Sequence, residues 1–470
     1  MMLNLSHLHD KARAFLGDSS SLRGKVFQSA SWVSAGYVAE MVLRLGSSLI
    51  LTRLLSPAAF GIMATAQVFL YTAIMLSDVG IRSLVITNER SDDPEFLRTV
   101  WTFQIVRGVV LATIVALLGQ GLGVAQRLGY LAPQNSFADP MLPAIIAALG
   151  VTLAFAGLNS TNEHVMARDL RQDILVKLET STKILSTFIT VGAVWTTRSV
   201  WGFVYAALIV AVLRAVLSML IVPGPRMTFA WNRNDIHYLI NRGKWIGVSS
   251  WATLARNLAD KVLIGSFFGS SVLGLYALAL TLSDALHSLM EKATKAIALP
   301  VLVEMLRTKK PNVMKIFFQI RGSIFLGSAC IGVSIFSLSS FIVEVIYDPR
   351  YNESGLVLAA LSLKYFIFHF LINLEFMRAR GNFAYVAFFQ VISSVLLWVF
   401  AIILALEMQL TLVVVAFAIS PLVERGLASG WLIRNGLLNL KIELMYYLVT
   451  AVFLVLCFIN LSPVSASLVQ

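Results

Sequence analysis

Apolar stretches of about 20 residues recur along the whole chain and are separated by short polar segments. A helix of that length can cross the hydrocarbon core of a bilayer. Two of the stretches, within 381–406 and 444–470, contain no charged residue at all. The pattern therefore predicts a polytopic α-helical membrane protein. The predicted spans are residues 29–51, 60–80, 99–119, 141–161, 178–197, 200–222, 245–267, 271–290, 318–343, 355–376, 383–406, 410–431 and 444–462.

Lysine and arginine concentrate in every second segment between the spans. The N-terminal segment and the loops on its side hold 23 of them, and the opposite loops hold four, which are Arg53, Arg127, Arg198 and Arg350. Basic residues of short loops stay on the cytoplasmic side of a membrane. We therefore expect the N-terminus and the loop 223–244 to face the cytoplasm.

The chain also contains a weak internal repeat. Residues 49–64 align without a gap with 262–277, and this alignment places Gly61 on Gly274. Residues 162–169 align in the same way with 373–380. Each half then has six spans in the same orientation, which is the parallel type of repeat found in transporters.

The sequence thus predicts an all-α polytopic membrane protein with 12–13 transmembrane helices: two parallel-repeat six-helix bundles around a central cavity, plus one extra C-terminal span. The predicted domains are a cytoplasmic amphipathic N-terminal segment (1–26), the first bundle (27–222), a cytoplasmic inter-bundle loop (223–244), the second bundle (245–433) and the extra segment (434–470).

Composition excludes several classes of function. Hydrophobic residues make up 58% of the chain and charged residues only 13%. The net charge of +12 is distributed over alternate loops, which argues against a nucleic-acid partner. The two cysteines lie in apolar spans and the six histidines show no ligand spacing, so no metal site is predicted. We find no nucleotide-binding motif, hence no cofactor, and no loop large enough for a catalytic domain, so the sequence does not predict an enzyme.

Charged residues inside the spans are the candidate functional residues, because an ionised side chain in a membrane is costly and is normally kept for function. Glu40 and Arg44 are four residues apart on one face of the first span. They are either a structural pair or a site at which Arg44 binds an anion. A cavity with basic walls would suit a phosphorylated substrate, since arginine matches the geometry of phosphate oxygens. The candidate substrate-binding residues are Arg44, Arg107, Arg214, Arg256, Lys261 and Lys364.

Transport without a nucleotide site needs another source of energy. We expect a proton or sodium gradient, or removal of the product by later polymerisation. The candidate coupling carboxylates, or partners in charge pairs, are Glu40, Asp78 and Asp260.

Several short motifs follow one another in a characteristic order. They are LTRLLSPAAFGIMATAQVF (51–69), DVGIRSLVI (78–86), FLRTVWTFQIVRG (96–108), ARDLRQ (167–172), DKVLIGSFFGSSVLGLYALA (260–279) and YDPRYNESGLVL (347–358). In these motifs the chain resembles the polysaccharide transport family of lipid-linked oligosaccharide flippases, which belongs to the multidrug/oligosaccharidyl-lipid/polysaccharide exporter superfamily. The Asp-Pro at 348–349 and the missing aromatic residue after 172 depart from the family pattern and leave the substrate open.

The resemblance implies a flippase that moves undecaprenyl-diphosphate-linked oligosaccharide units from the cytoplasmic to the outer leaflet of the bacterial inner membrane, for exopolysaccharide, O-antigen or capsule synthesis. Its partners would be that substrate, membrane lipid, a proton or sodium ion, a polysaccharide polymerase and glycosyltransferases. Two relatives in the same superfamily remain as alternatives: a cation-coupled multidrug exporter and a lipid II flippase.

Overall fold

The computed structural model describes residues 22–78, 80–307 and 313–461, and the regular elements in these ranges are all helices. Residues 1–21 of the predicted N-terminal amphipathic segment lie outside the described residues. The helices of the first half are α1 (Leu22–Leu54), α2 (Pro57–Leu76), α3 (Ile81–Thr87), α4 (Pro94–Arg127), α5 (Leu142–Ala156), α6 (Asn162–Arg168), α7 (Gln172–Thr197) and α8 (Val200–Ile221).

The second half repeats this order. Its helices are α9 (Arg233–Arg307), α10 (Val313–Ile346), α11 (Ser354–Phe366), α12 (Leu371–Ala379), α13 (Phe383–Leu406), α14 (Leu410–Ile419) and α15 (Pro421–Arg434), and α16 (Leu440–Leu461) is the extra C-terminal helix. Every predicted span therefore coincides with a helix or with two helices in succession.

Helix α9 is a hairpin of two predicted spans. Its backbone is non-helical at Gly269, where φ is 84°. The hydroxyl of Tyr276 donates to Asp260 Oδ2 over 2.8 Å, although sixteen residues of straight helix would hold them about 24 Å apart. The chain therefore reverses at Gly269. Glycine takes this positive φ without a steric cost.

The two hairpins touch at the glycines that the repeat aligns. A Cβ atom on Gly61 would lie 1.7 Å from the Ser270 carbonyl oxygen, and one on Gly274 would lie 1.9 Å from the Pro57 carbonyl oxygen. No side chain fits at either position, so the backbones of α2 and α9 pack directly on each other here.

Helices α4 and α9 begin earlier than the hydropathy predicts, because polar residues cap them. Asp93 accepts a hydrogen bond from the Glu95 amide before α4, and Asn232 accepts one from the Asn234 amide before α9. Such caps satisfy amide groups that have no partner inside the helix. The second half of the predicted loop 223–244 is consequently helical.

Three predicted spans are interrupted. The fourth breaks between Ala156 and Asn162, and the tenth breaks at a 3-10 turn, Phe368–Phe370. These two breaks occupy equivalent places in the two halves of the repeat. The twelfth breaks at Pro421, which cannot donate a helical hydrogen bond.

Among the described residues, nine helices are long and apolar enough to cross a membrane. The hairpin of α9 counts once in this number, over Arg256–Lys292, although it contains two predicted spans. The broken fourth span contributes only the shorter apolar helix Leu142–Ala156. The other two of the thirteen predicted spans that are absent from this number lie in α1 and α7, which carry charged side chains such as Arg44 and Lys183.

The chain packs into two compact units. The first contains the described residues up to Leu54 and those within Phe69–Leu128 and Pro140–Leu254. The second contains Leu55–Val68, Gly129–Asp139 and the described residues from Ala255 onward. The turn between α1 and α2 and the segment after α4 thus pack with the second unit. Tyr351, for example, donates its hydroxyl proton to the Leu55 carbonyl over 2.8 Å.

Candidate functional site

The charged cluster of the first unit consists of Glu40 and Arg44 on α1 and Lys183 on α7. Arg44 Nη2 donates to Glu40 Oε1 over 2.9 Å, and Lys183 Nζ lies 3.7 Å from the same oxygen. One carboxylate thus faces two cations, and the cluster carries a net positive charge. Helix α1 lies close to α7 at Gly36, where a Cβ would come within 2.8 Å of Val176.

The direction of this cluster follows from the periodicity of α1. Val38 and Val42 are among its most exposed side chains, at 48% and 64%. Glu40 and Arg44 are two residues further along, a rotation of about 200°, and are 41% and 46% exposed. One exposed face is therefore apolar and the opposite face is charged. Because ionised groups are costly in lipid, the apolar face suits lipid and the charged face suits water or a ligand.

The charged cluster of the second unit consists of Arg256 on α9 with Glu424 and Arg425 on α15. Arg256 Nη1 donates to Glu424 Oε2 over 2.6 Å, with side-chain exposures of 18% and 9%. Arg425 is buried and donates from Nη1 to the Ile367 carbonyl over 2.7 Å, at the break in the tenth span. Glu291 on α9 also attracts Arg425 electrostatically, so this cluster has two arginines and two carboxylates.

Two other predicted residues, Asp260 and Lys261, form a local group in the hairpin of α9. Lys261 Nζ lies 3.7 Å from Asp260 Oδ2, and Tyr276 donates to that oxygen. Asp260 is therefore held by a lysine and a tyrosine, whereas Arg256 contacts Glu424.

Arg107 lies on α4, and its side chain contacts the end of α2, close to Asp78. Arg107 donates to Ser77 Oγ over 3.0 Å and to the Ile74 carbonyl over 3.2 Å. A cation at this place complements the partial negative charge at a helix C-terminus. Asp78 accepts from the Gly80 amide over 2.8 Å and forms a turn. Both residues thus hold the end of α2 in place.

Arg214 and Lys364 each contact a carboxylate on another helix. Arg214 Nη2 donates to Glu163 Oε2 over 3.0 Å, and Lys364 Nζ donates to Asp284 Oδ1 over 2.7 Å. Lys364 is buried whereas Asp284 is 48% exposed.

The sequence reasoning overlooked Arg321 and Arg425, both inside predicted spans. Arg321 is fully buried, and its guanidinium forms two hydrogen bonds with Glu443 on the extra helix. The internal repeat could have identified both residues, because each aligns with a candidate residue of the first half. QIVRG (104–108) resembles QIRG (319–322), which aligns Arg107 with Arg321, and the shift of 162–169 onto 373–380 also takes Arg214 onto Arg425.

The model of a family described as "Polysaccharide biosynthesis protein" matches residues 50–356, well over half of the chain. The chain belongs to this family. No curated protein matches it. The family agrees with the polysaccharide transport family that the sequence motifs resemble.

Solved structures of similar fold come from the MOP superfamily of transporters. An inward-facing multidrug resistance MATE family transporter has a TM-score of 0.62 and 13% identity, with 83% of this chain and 93% of that chain covered. The lipid II flippase MurJ in an inward closed conformation has a TM-score of 0.61 and 11% identity, with 93% and 92% covered. A MOP superfamily transporter from Pyrococcus furiosus, described as having a binding pocket of reverse polarity, has a TM-score of 0.53 and 13% identity, with 94% and 96% covered.

These matches confirm the predicted fold of two six-helix repeats and a multi-pass membrane protein. They also agree with the prediction that this family member is a transporter and not an enzyme. Within the described residues, no group of three or more His, Cys, Asp or Glu side chains could hold a metal ion.

Arginines held by one carboxylate through one or two hydrogen bonds keep other donors of the guanidinium for an anion. Arg44 and Arg256 each donate to one carboxylate, Glu40 and Glu424 respectively.

Proposed function

We propose that the protein is a flippase that moves undecaprenyl-diphosphate-linked oligosaccharide repeat units from the cytoplasmic to the outer leaflet by alternating access. The membership in a polysaccharide biosynthesis family carries this proposal. The superfamily fold and the charged clusters inside the spans support it.

In the first unit, a phosphate of the substrate would bind at Arg44 with Lys183. The second unit offers an anion site of the same kind at Arg256 with Arg425. Arginine can hold two phosphate oxygens with parallel hydrogen bonds, which a point charge cannot do. The first cluster has one carboxylate, Glu40, for the cations Arg44 and Lys183, so one phosphate charge would bring it close to neutral. Arg107, Lys261 and Lys364 would then act indirectly, by holding helix ends and hairpins in place.

Release of the substrate needs a competitor for the arginines. Glu40 and Glu424 accept hydrogen bonds from Arg44 and Arg256 at 2.9 Å and 2.6 Å. When the substrate leaves, these carboxylates would neutralise the two arginines. The clusters would thus bind a diphosphate without holding it permanently.

We further propose that the N-terminus and the segment 223–244 face the cytoplasm, on the distribution of lysine and arginine. A bacterial inner membrane fits a lipid-linked oligosaccharide as substrate. The finished repeat unit would pass to a polymerase in the outer leaflet.

The proposal is tested with Arg44 and Arg256 in cells that lack the chromosomal copy of the gene. We expect Arg44→Ala and Arg256→Ala to reduce polymer export at least about tenfold, because each loses a charge-assisted contact worth about 1.5–3 kcal/mol. Lysine at either position should restore export in part. Gly46→Ala, at a glycine with no atom within 4 Å of a built Cβ, is the matched control on α1.

Export at the wild-type level by a well-expressed Arg44→Ala, Arg256→Ala double variant would contradict the proposal that these arginines bind the diphosphate. Export of cationic dyes instead of polymer would favour a multidrug exporter. Rescue of cells deprived of lipid II transport, without any effect on polymer, would favour a lipid II flippase.

A further inference from the structure

The connecting segment between α8 and α9, residues 223–232, is not helical and is held against the first unit by hydrogen bonds. Arg98 Nε on α4 donates to the Arg226 carbonyl over 3.2 Å. The Ala230 amide donates to Thr102 Oγ1, also on α4, over 3.0 Å. The path of the connecting segment is therefore fixed by the first two turns of α4.

Two observations place the connecting segment at the level where the lipid-facing surface begins. Helix α8, which is long and apolar enough to cross a membrane, ends at Ile221, just before the segment. Thr102 lies three residues inside the predicted span 99–119 and shares a face of α4 with the exposed side chains of Val106 and Val109. Val106 is only about 6 Å further along the helix axis. The segment therefore crosses α4 at the depth of the lipid headgroups.

Two large aromatic side chains of the connecting segment are exposed at this depth. Phe229 and Trp231 are 74% and 59% exposed. The Phe229 ring packs on one side against Trp101 of α4, with 5.3 Å between the ring centroids, and its other side is open. Tryptophan is enriched where a membrane meets water, because its ring has an apolar body and a polar N–H. The two rings therefore suit the interfacial layer of a bilayer.

Arg226 and Arg233 lie on either side of these rings in the sequence, and both are exposed. Among the described residues, neither guanidinium has a hydrogen bond or an ion pair. Arg233 is in the first turn of α9, where a cation is unfavourable for the helix dipole. Asp235 in the same turn pairs instead with Arg90 over 2.6 Å. Two positive charges thus remain for a negatively charged partner.

We infer that the connecting segment and the first turn of α9 form a docking surface for anionic phospholipids of the adjacent leaflet. Phe229 and Trp231 lie among the headgroups, and Arg226 and Arg233 bind their phosphates. Phospholipid phosphates occupy the depth at which the segment crosses α4, so a soluble protein could reach these side chains only through the headgroup layer. In the proposed orientation this is the cytoplasmic leaflet.

The test measures how brominated lipids quench the fluorescence of Trp231 in the full-length protein. The protein is reconstituted in nanodiscs that contain phosphatidylglycerol and phosphatidylcholine in equal amounts, and one of the two lipids carries bromine near the top of its acyl chains. The signal of Trp231 is the difference between the emission of the wild type and that of Trp231→Phe. We expect brominated phosphatidylglycerol to quench this signal more strongly than brominated phosphatidylcholine, because the anionic lipid is enriched at the segment.

The arginines should account for this preference. Arg226→Ala and Arg233→Ala should each lower the preference for phosphatidylglycerol about fivefold, which corresponds to about 1 kcal/mol for a basic residue at an anionic surface. The control Arg127→Ala, Arg198→Ala removes two exposed arginines on the opposite side and should leave the preference at Trp231 unchanged. Raising the salt concentration from about 0.05 M to about 0.5 M should lower the preference of the wild type, and this result does not depend on the folding of an arginine variant.

Equal quenching of the wild type by the two brominated lipids would overturn the inference, and so would a preference that a folded Arg226→Ala, Arg233→Ala variant retains. Quenching of Trp231 by iodide in the water, but by neither brominated lipid, would overturn it as well and would indicate a surface for a soluble partner. None of these outcomes concerns transport, so the proposed function would stand.

Discussion

The ion pair between Arg321 and Glu443 should be the main anchor of the extra C-terminal helix. Its side chains are 0% and 1% exposed. The Arg321 guanidinium also lies over the rings of Tyr446 and Phe370, 4.2 Å and 4.9 Å from their centroids. These contacts connect α16 with α10 and with the break in the tenth span.

Removing one partner leaves the other charge buried and unpaired. Breaking a buried pair in this way costs about 3–5 kcal/mol, while replacing both partners with apolar residues is often neutral or stabilising. We therefore expect Glu443→Gln to lower the free energy of unfolding by about 3–5 kcal/mol. The double variant Arg321→Met, Glu443→Met should recover most or all of this loss.

The two cysteines of the chain provide the assay. Cys457 lies on α16 and is buried, whereas Cys330 is exposed. In a Cys330→Ser background, a thiol-reactive dye reports the temperature at which the surroundings of Cys457 open. Glu443→Gln should lower this temperature clearly, and Glu353→Gln should leave it unchanged.

The double variant distinguishes the pair from ordinary packing. If the losses of Arg321→Met and of Glu443→Met simply add in the double variant, the charges do not depend on each other and the argument is refuted. An unchanged melting temperature for Glu443→Gln would refute it as well.

Two further predictions concern the hairpins and the topology. Gly61→Ala should abolish transport or folding, because its Cβ would lie 1.7 Å from the Ser270 carbonyl oxygen, whereas Gly46→Ala should be tolerated; polymer export and expression level measure both. In a protein without its native cysteines, the variant Ser56→Cys should react with a membrane-impermeant thiol reagent added to intact cells, and the variant Asn234→Cys should not. Labelling of Asn234→Cys from outside would contradict the proposed orientation.

Hydropathy was sufficient to predict most of the fold. Apolar stretches and loop charges gave the spans, and the alignment of Gly61 with Gly274 identified two positions that pack against the opposite hairpin. The breaks in the fourth and tenth spans were not predictable in this way, because Gly157 and the turn at Phe368 lie within apolar sequence. These breaks depend on side chains that form hydrogen bonds with backbone groups at the break. Ser218 accepts from the Ser160 amide, and Arg425 donates to the Ile367 carbonyl.

The partners of the charged residues were harder to predict than the residues themselves. Glu40 and Arg44 are close in sequence, and their pairing followed from helical spacing. Arg256 instead contacts Glu424, which is 168 residues away. Glu443 immediately precedes the predicted span 444–462, so hydropathy places it in a loop. Only the packing of α16 reveals that it is buried.

Movement of a lipid-linked diphosphate across a bilayer tests the central claim most directly. Purified protein would be reconstituted in liposomes with a fluorescent undecaprenyl-diphosphate-linked oligosaccharide, and a membrane-impermeant quencher would report how much of it reaches the outer leaflet. We expect rapid loss of the protected inner fraction with the wild type, and slow loss with the Arg44→Ala, Arg256→Ala variant and with empty liposomes. Equal rates for wild-type and empty liposomes, with folded protein present and an imposed proton gradient, would contradict the account.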